Sequence, residues 1–236
     1  MSIARRKLAL GLGLLALAGC ALFRTNPLEQ RRGAVVLVFD TRTAGDLEFL
    51  RRQLSAYDAR ATVFAAGQIR RGLALTLRDL EAEGHAVGLS GLRGTDPQLY
   101  CAMHGRQKYF QDEVVTQLLG VKGSGLNPRH FLLRLPKKAK PETLELPAFL
   151  ASKGFAHVVD VMPDHVPATA RPASGLLTPV VHAYVMKTNN FDRAQIAALA
   201  ERNEILVVAP DRQVLPRLLD EVRAQGVPFA TVADLR

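Results

Sequence analysis

The chain has no tryptophan, 6% aromatic residues and two cysteines in 236 positions. The aromatic shortage argues against a nucleic-acid partner, because base recognition needs aromatic faces interleaved with a basic stripe. Only Arg134, Lys137, Lys138 and Lys140 cluster as cations, so no nucleic acid is expected. Two cysteines, Cys20 and Cys101, allow at most one disulfide. The fold must therefore rest on its core. No glycine-rich loop follows the first long apolar run, which removes the dinucleotide-binding fingerprint. There is no internal repeat and no low-complexity segment. His104, His130, His157 and His182 are scattered, and none forms a close ligand pair along the sequence. No cofactor is expected.

What is present begins with the amino terminus. Arg5, Arg6 and Lys7 precede an apolar run, Leu8 to Leu17, too short to span a bilayer as a mature helix, and Leu17-Ala18-Gly19-Cys20 offers small residues ending in cysteine. This segment resembles a bacterial lipoprotein signal. Residues 1–19 are read as the signal, Cys20 as the lipidated first residue, and 20–32 as a tether. Ala21 is not the aspartate associated with inner-membrane retention, so the protein is expected in the cell envelope, on the periplasmic face of an outer membrane. Lipid does the anchoring. With Cys20 acylated, Cys101 has no intramolecular partner and reads as a small buried hydrophobe.

Removing the signal takes three of the 31 basic residues and leaves 28 against 22 acidic ones, a net charge of about +6. Such a balance suits an anionic glycan or headgroup, or simply a solvated basic face.

The mature length fits one α/β domain, 33–236. Ala34 to Phe39 is a β-branched apolar run ending in Asp40, the pattern of a buried parallel strand presenting a carboxylate at its carboxyl end. Further strands are expected over 61–65, 85–89, 130–134, 157–161, 180–185, 205–209 and 229–232. Helices are expected through Leu47, Leu50, Leu54 and Tyr57; through Leu73, Leu77 and Leu80; through Phe110, Val114, Leu118 and Leu119; and over 142–153, 196–200 and 214–224. The stretch 91–103 reads as irregular. This alternation implies parallel strands with helices outside, an irregular (β/α) barrel rather than an open sheet. Its active face is the carboxyl end of the strands, where Asp40, Ser90, Arg134, Asp160 and Asp211 fall.

At those residues the chain resembles a known family. Val36-Leu37-Val38-Phe39-Asp40, Ala61-Thr62-Val63-Phe64 and Glu83-Gly84-His85-Ala86-Val87-Gly88 are similar to the polysaccharide deacetylases of the chitooligosaccharide deacetylase type. Pro128 to Pro136 resembles their arginine-proline motif, and Leu215 to Leu235 their closing helix and strand. The resemblance runs from Gly33 to Leu235. It implies a distorted (β/α) barrel and, in an intact member, a metal-dependent removal of acetyl groups from polysaccharide.

The resemblance also implies roles, residue by residue. The general base matches Asp40, and the arginine bracing it matches Arg134. The metal-binding aspartate falls on Thr41 and the two metal histidines on Ser90 and Gly94. The late histidine that acts as general acid should lie near Val208 to Asp211, where there is none. Neutral hydroxyls and a glycine do not make a catalytic metal site, which needs about three charged or imidazole ligands. The expectation is therefore a non-catalytic domain, a pseudo-deacetylase binding a glycan or an envelope protein partner. The alternative is an active N- or O-deacetylase with a relocated site using Asp40, Asp164 and His165. On ion-pair statistics, Asp40 and Arg134 are expected to form a partly buried structural pair at the barrel rim.

If acylation alone anchors the chain, Cys20→Ser should release the protein into the soluble envelope fraction. Equal membrane association of the variant and the wild type would contradict the lipid anchor.

Overall fold

The computed structural model describes residues 35–134, 145–162, 180–185, 196–197, 205–208 and 212–234; at 134, 160–162, 180–185 and 205–208 it describes the backbone. Strand β1 (Val35–Thr41) is buried at every position except Asp40, which is half-buried. Its side chains alternate between two cores. Val35, Leu37 and Phe39 pack outward with the helices, whereas Val36 and Val38 join Phe64, Ala86, Leu132, Val159, Ala230 and Val232 in an inner cluster. Asp40 continues the inner column by the two-residue period of a strand. The carboxylate therefore stands at the mouth of the barrel interior.

The remaining strands are β2 (Thr62–Ala65), β3 (Ala86–Leu89), β4 (His130–Arg134), β5 (His157–Met162), β6 (Val180–Val185), β7 (Ile205–Val208) and β8 (Phe229–Ala230). Every pairing is parallel, and β1 pairs with both β2 and β7, which closes β1 to β7 into a ring. Val38 pairs with Thr62 on one edge and Val207 on the other, and Val36 pairs with Ile205 and Ala230. It follows that β8 shares the β2 edge of β1, taking its amino end while β2 takes its carboxyl end. The Thr62 hydroxyl joins the two by accepting from Val232 N at 2.9 Å. This insertion makes the barrel irregular, as the sequence pattern anticipates.

The helices cover the outer surface. In α1 (Ala44–Ala56) Thr43 caps the first turn by accepting from Asp46 N, and Leu47, Leu50 and Leu54 face the sheet. Helix α2 (Arg71–Ala82) buries Leu73, Leu77 and Leu80, and α6 (Val214–Ala224) buries Leu215, Leu218 and Leu219. Tyr57 ties the first to the last by donating to Asp220 Oδ1 at 2.7 Å. Helix α5 spans Leu146–Ser152, inside the range expected; 142–144 lie outside the described residues. The barrel interior closes around Gly88, where an added Cβ would lie 2.5 Å from the Phe64 ring and 2.6 Å from His130 O. Only glycine lets that ring fill the centre.

Three expectations need correction. The stretch 91–103 contains a helix, α3 (Pro97–His104), started by Asp96, whose carboxylate accepts from Gln98 N and Leu99 N, with Pro97 in the first turn. The strand expected over 229–232 ends at Ala230, and Val232–Asp234 forms a 3-10 turn. The next helix, α4, runs as α-helical Arg106–Tyr109, a π segment Phe110–Val115 and α-helical Thr116–Val121. The wider π turn shifts the helical phase, so Leu119 is exposed while Glu113 and Gln117 are buried.

The histidines scattered in sequence are also gathered by the fold. Strands β4 and β5 pair His130 with His157, and their Nδ1 atoms lie 3.2 Å apart in buried, stacked rings. His85, at the start of β3, accepts from Ala61 N at 3.2 Å. All three sit at the amino ends of strands, the stability face of a barrel. Burial, with His157 and Arg129 nearby, holds His130 down to about 4, and burial lowers His85 as well. The unfolded chain takes up a proton at His130 near pH 6.5 and the folded chain only near 4, so stability falls as pH drops through that window, by about 2–4 kcal/mol. A denaturation midpoint that declines from pH 7 to pH 4.5, with a shallower decline in His130→Asn, is the expected result.

Candidate functional site

The mouth of the barrel is organised by the ends of β1 and β3. Asp40 accepts a hydrogen bond at Oδ1 from Ser90 Oγ at 2.8 Å, and Ser90 is not its sole partner. The structure thus brings together two of the positions that the sequence singles out. Thr41, one residue on, belongs to the opposite face of the strand. It is buried, and its hydroxyl donates to Thr43 O at 3.4 Å.

Gly94 has φ +67, a conformation that disfavours any side chain. An ideal Cβ there would also lie 2.9 Å from Arg42 Nη2. A cationic guanidinium therefore occupies the room beside Gly94. Arg134 ends β4, paired in register with Val161; its side chain, and with it the ion pair expected with Asp40, lies outside what the structure describes. Cys20, Asp164, His165 and Asp211 lie outside the described residues, as does the side chain of Asp160.

A divalent metal fits this donor set poorly. The hydroxyl of Thr41 donates to a neighbouring carbonyl, that of Ser90 donates to Asp40, and position 94 holds no donor and adjoins the Arg42 guanidinium. Among the described residues no group of three or more His, Cys, Asp or Glu could hold a metal ion.

The loop carrying Ser90 and Gly94 is held by two residues that sequence reasoning missed. Glu113, on the π segment of α4, is fully buried. Its Oε2 accepts from Arg93 N at 2.8 Å and its Oε1 from the Thr95 hydroxyl at 2.5 Å, while its backbone carbonyl accepts from Leu92 N at 3.0 Å. Gln117, one turn later, accepts from Gly91 N at 3.1 Å and donates to Ala65 O at 2.7 Å and Gly67 O at 3.0 Å. The four-residue spacing of Glu113 and Gln117, which puts both on one helical face, was the available signal; the π turn that brings both inward was not visible.

Beside this loop a groove of about 590 Å³ is lined by Gln68, Ile69, Leu92, Thr116, Leu119 and Gly120. It holds no titratable side chain. On the outer side of the loop Tyr100 donates to Asp112, which also pairs with Lys108 at 2.9 Å. These two partners hold the Asp112 carboxyl below its usual range, and the bond to Asp112 raises Tyr100 in return. Burial raises the Cys101 thiol, which keeps it protonated and unreactive at neutral pH.

No family model and no curated protein sequence matches the chain. Solved structures do resemble it. A family 4 carbohydrate esterase from Streptomyces lividans, in complex with acetate, superposes with TM-score 0.55 at 18% identity, covering 86% of this chain and 94% of that one. A Streptococcus mutans CE4 esterase gives TM-score 0.55 at 18% identity over 86% and 89%. A polysaccharide deacetylase from Bacillus cereus gives 0.52 at 20% identity over 85% and 92%. The domain therefore has the fold of the polysaccharide deacetylases, a divergent version of their (β/α) barrel.

Glu113→Ala should strand two donors of the loop in a buried place, at a cost of about 2–4 kcal/mol. Glu113→Gln, which keeps one acceptor, should lie between that and the wild type. Urea denaturation of the three proteins measures the order; an unchanged midpoint in Glu113→Ala would show that the loop is not held by this carboxylate.

Proposed function

We propose that this protein is a lipid-anchored envelope protein whose deacetylase-like barrel is non-catalytic. In this reading the mouth of the barrel binds a glycan, or a protein partner of an envelope polysaccharide system. The observation that carries it is the hydrogen bond from Ser90 to Asp40: a position that matches a metal histidine holds a neutral hydroxyl directed at the carboxylate, so that no imidazole stands there to help a metal activate water. Asp40 and Ser90 together present carboxylate and hydroxyl oxygens at a half-buried rim, acceptors that suit sugar hydroxyls.

The donor set adds support. Hydrolysis of an amide or ester at neutral pH without a metal needs another way to lower the pKa of water, and neither Thr41, Ser90 nor Gly94 supplies one. The anchor through Cys20 places such a binder on the periplasmic face of an outer membrane, within reach of envelope polysaccharide. The net positive charge of the chain agrees with an anionic matrix.

Incubation of the purified protein with N-acetylated chitooligosaccharides should release no acetate, with or without added zinc, cobalt or nickel, and metal analysis should find none bound in stoichiometric amount. Metal near one per chain together with acetate release that Asp40→Asn abolishes would overturn the non-catalytic reading and point to a site that recruits Asp164 and His165.

A further inference from the structure

We infer that Arg42 is an anion-binding group at the barrel mouth, and that the glycan engaged there carries a carboxylate on the sugar that meets Asp40. The inference rests on the glycan-binding reading above and specifies its ligand.

Arg42 follows Asp40 by two residues at the carboxyl end of β1. Its Nη2 lies 2.9 Å from the point where a Cβ on Gly94 would stand. Room for the guanidinium exists because Gly94 has no side chain, and φ +67 keeps that position to glycine. The platform is rigid: Arg93 N and the Thr95 hydroxyl, on either side of Gly94, are both fixed by the buried Glu113. Arg42 is thus placed by the loop it lies against.

Its charge is uncommitted among the described residues. Arg51 pairs with Glu83, Arg78 with Asp79 and Arg106 with Glu145; Arg42 has no such carboxylate and is exposed. A guanidinium stays charged at any physiological pH and presents a planar fork that matches a carboxylate with two parallel hydrogen bonds. Asp40 sets the other half of the requirement. It repels an anion but accepts from a hydroxyl, so the ligand needs a hydroxyl near Asp40 and a carboxylate near Arg42. Arg42 stands one residue beyond the end of β1 and two beyond Asp40, so both groups serve the same edge of the mouth and a ligand with a hydroxyl and a carboxylate close together matches them. Uronic-acid residues have both groups on one ring.

Calorimetric titration of the detergent-solubilised full chain with trigalacturonate and with neutral chitotriose tests this. Trigalacturonate should bind at least tenfold more tightly, and Arg42→Gln should abolish that difference while changing chitotriose affinity less than twofold. Gly94→Ala, which displaces the guanidinium without removing it, should weaken trigalacturonate binding in the same direction. Equal affinity for both sugars in the wild type, or an Arg42→Gln variant that binds trigalacturonate as the wild type does, would overturn the inference and leave glycan binding standing. Oligoglutamate binding as tightly as trigalacturonate would also overturn it, since charge alone would then be read. Binding of neither sugar would instead refute the glycan reading itself.

Discussion

A carboxylate sealed from water must find donors for both of its oxygens, and the way Glu113 does so shapes the functional face of this barrel. Its partners are Arg93 N and the Thr95 hydroxyl, so the chain between β3 and α3 has to bend around it. That bend puts Gly94 at positive φ and leaves Ser90 beside Asp40. Gln117 completes the arrangement by bonding to the end of β2 and to the turns that follow β2 and β3. The π segment is what aims both side chains inward. Such segments cost helical regularity and persist where a side chain must be re-aimed.

The same framework sets what stands at the mouth of the barrel. Position 40 keeps its carboxylate because it ends an inner column of Val36 and Val38, and the pleat allows no other direction. The loop that carries positions 90 and 94 is held from outside, by Glu113 and Gln117 of α4. Arg42 then lies against the glycine. A guanidinium cannot polarise water as a divalent metal does, but it can hold an anion, as the proposed binding role requires.

Stability and function are separated along the strands. At the amino ends, His85, His130 and His157 are buried and bonded to a backbone N–H or to one another, and burial keeps His85 and His130 uncharged near neutrality. At the carboxyl ends, Asp40, Arg42 and Arg93 face solvent wholly or in part. Parallel strands impose this polarity, because every helix returns the chain to the same starting face. Acid therefore acts on the fold at the amino ends of the strands.

Much of this was legible in the residues themselves. The apolar run 34–39 ending in Asp40, the recurring strand and helix periods, and Glu83-Gly84 before β3 specify a parallel α/β barrel through burial and turn chemistry, which are local properties of the chain. The absence of charged ligands at 41, 90 and 94 is likewise a fact of sequence. The tertiary structure alone decided the rest. The pairing of His130 with His157 depends on the register between β4 and β5, and the burial of Glu113 and Gln117 on a change of helical phase. The seat of Arg42 on Gly94 depends on a loop bent by a residue 19 positions further along the chain. Each is a contact between segments far apart in sequence, and local propensity contains no information about which side chains the closing of a barrel brings face to face.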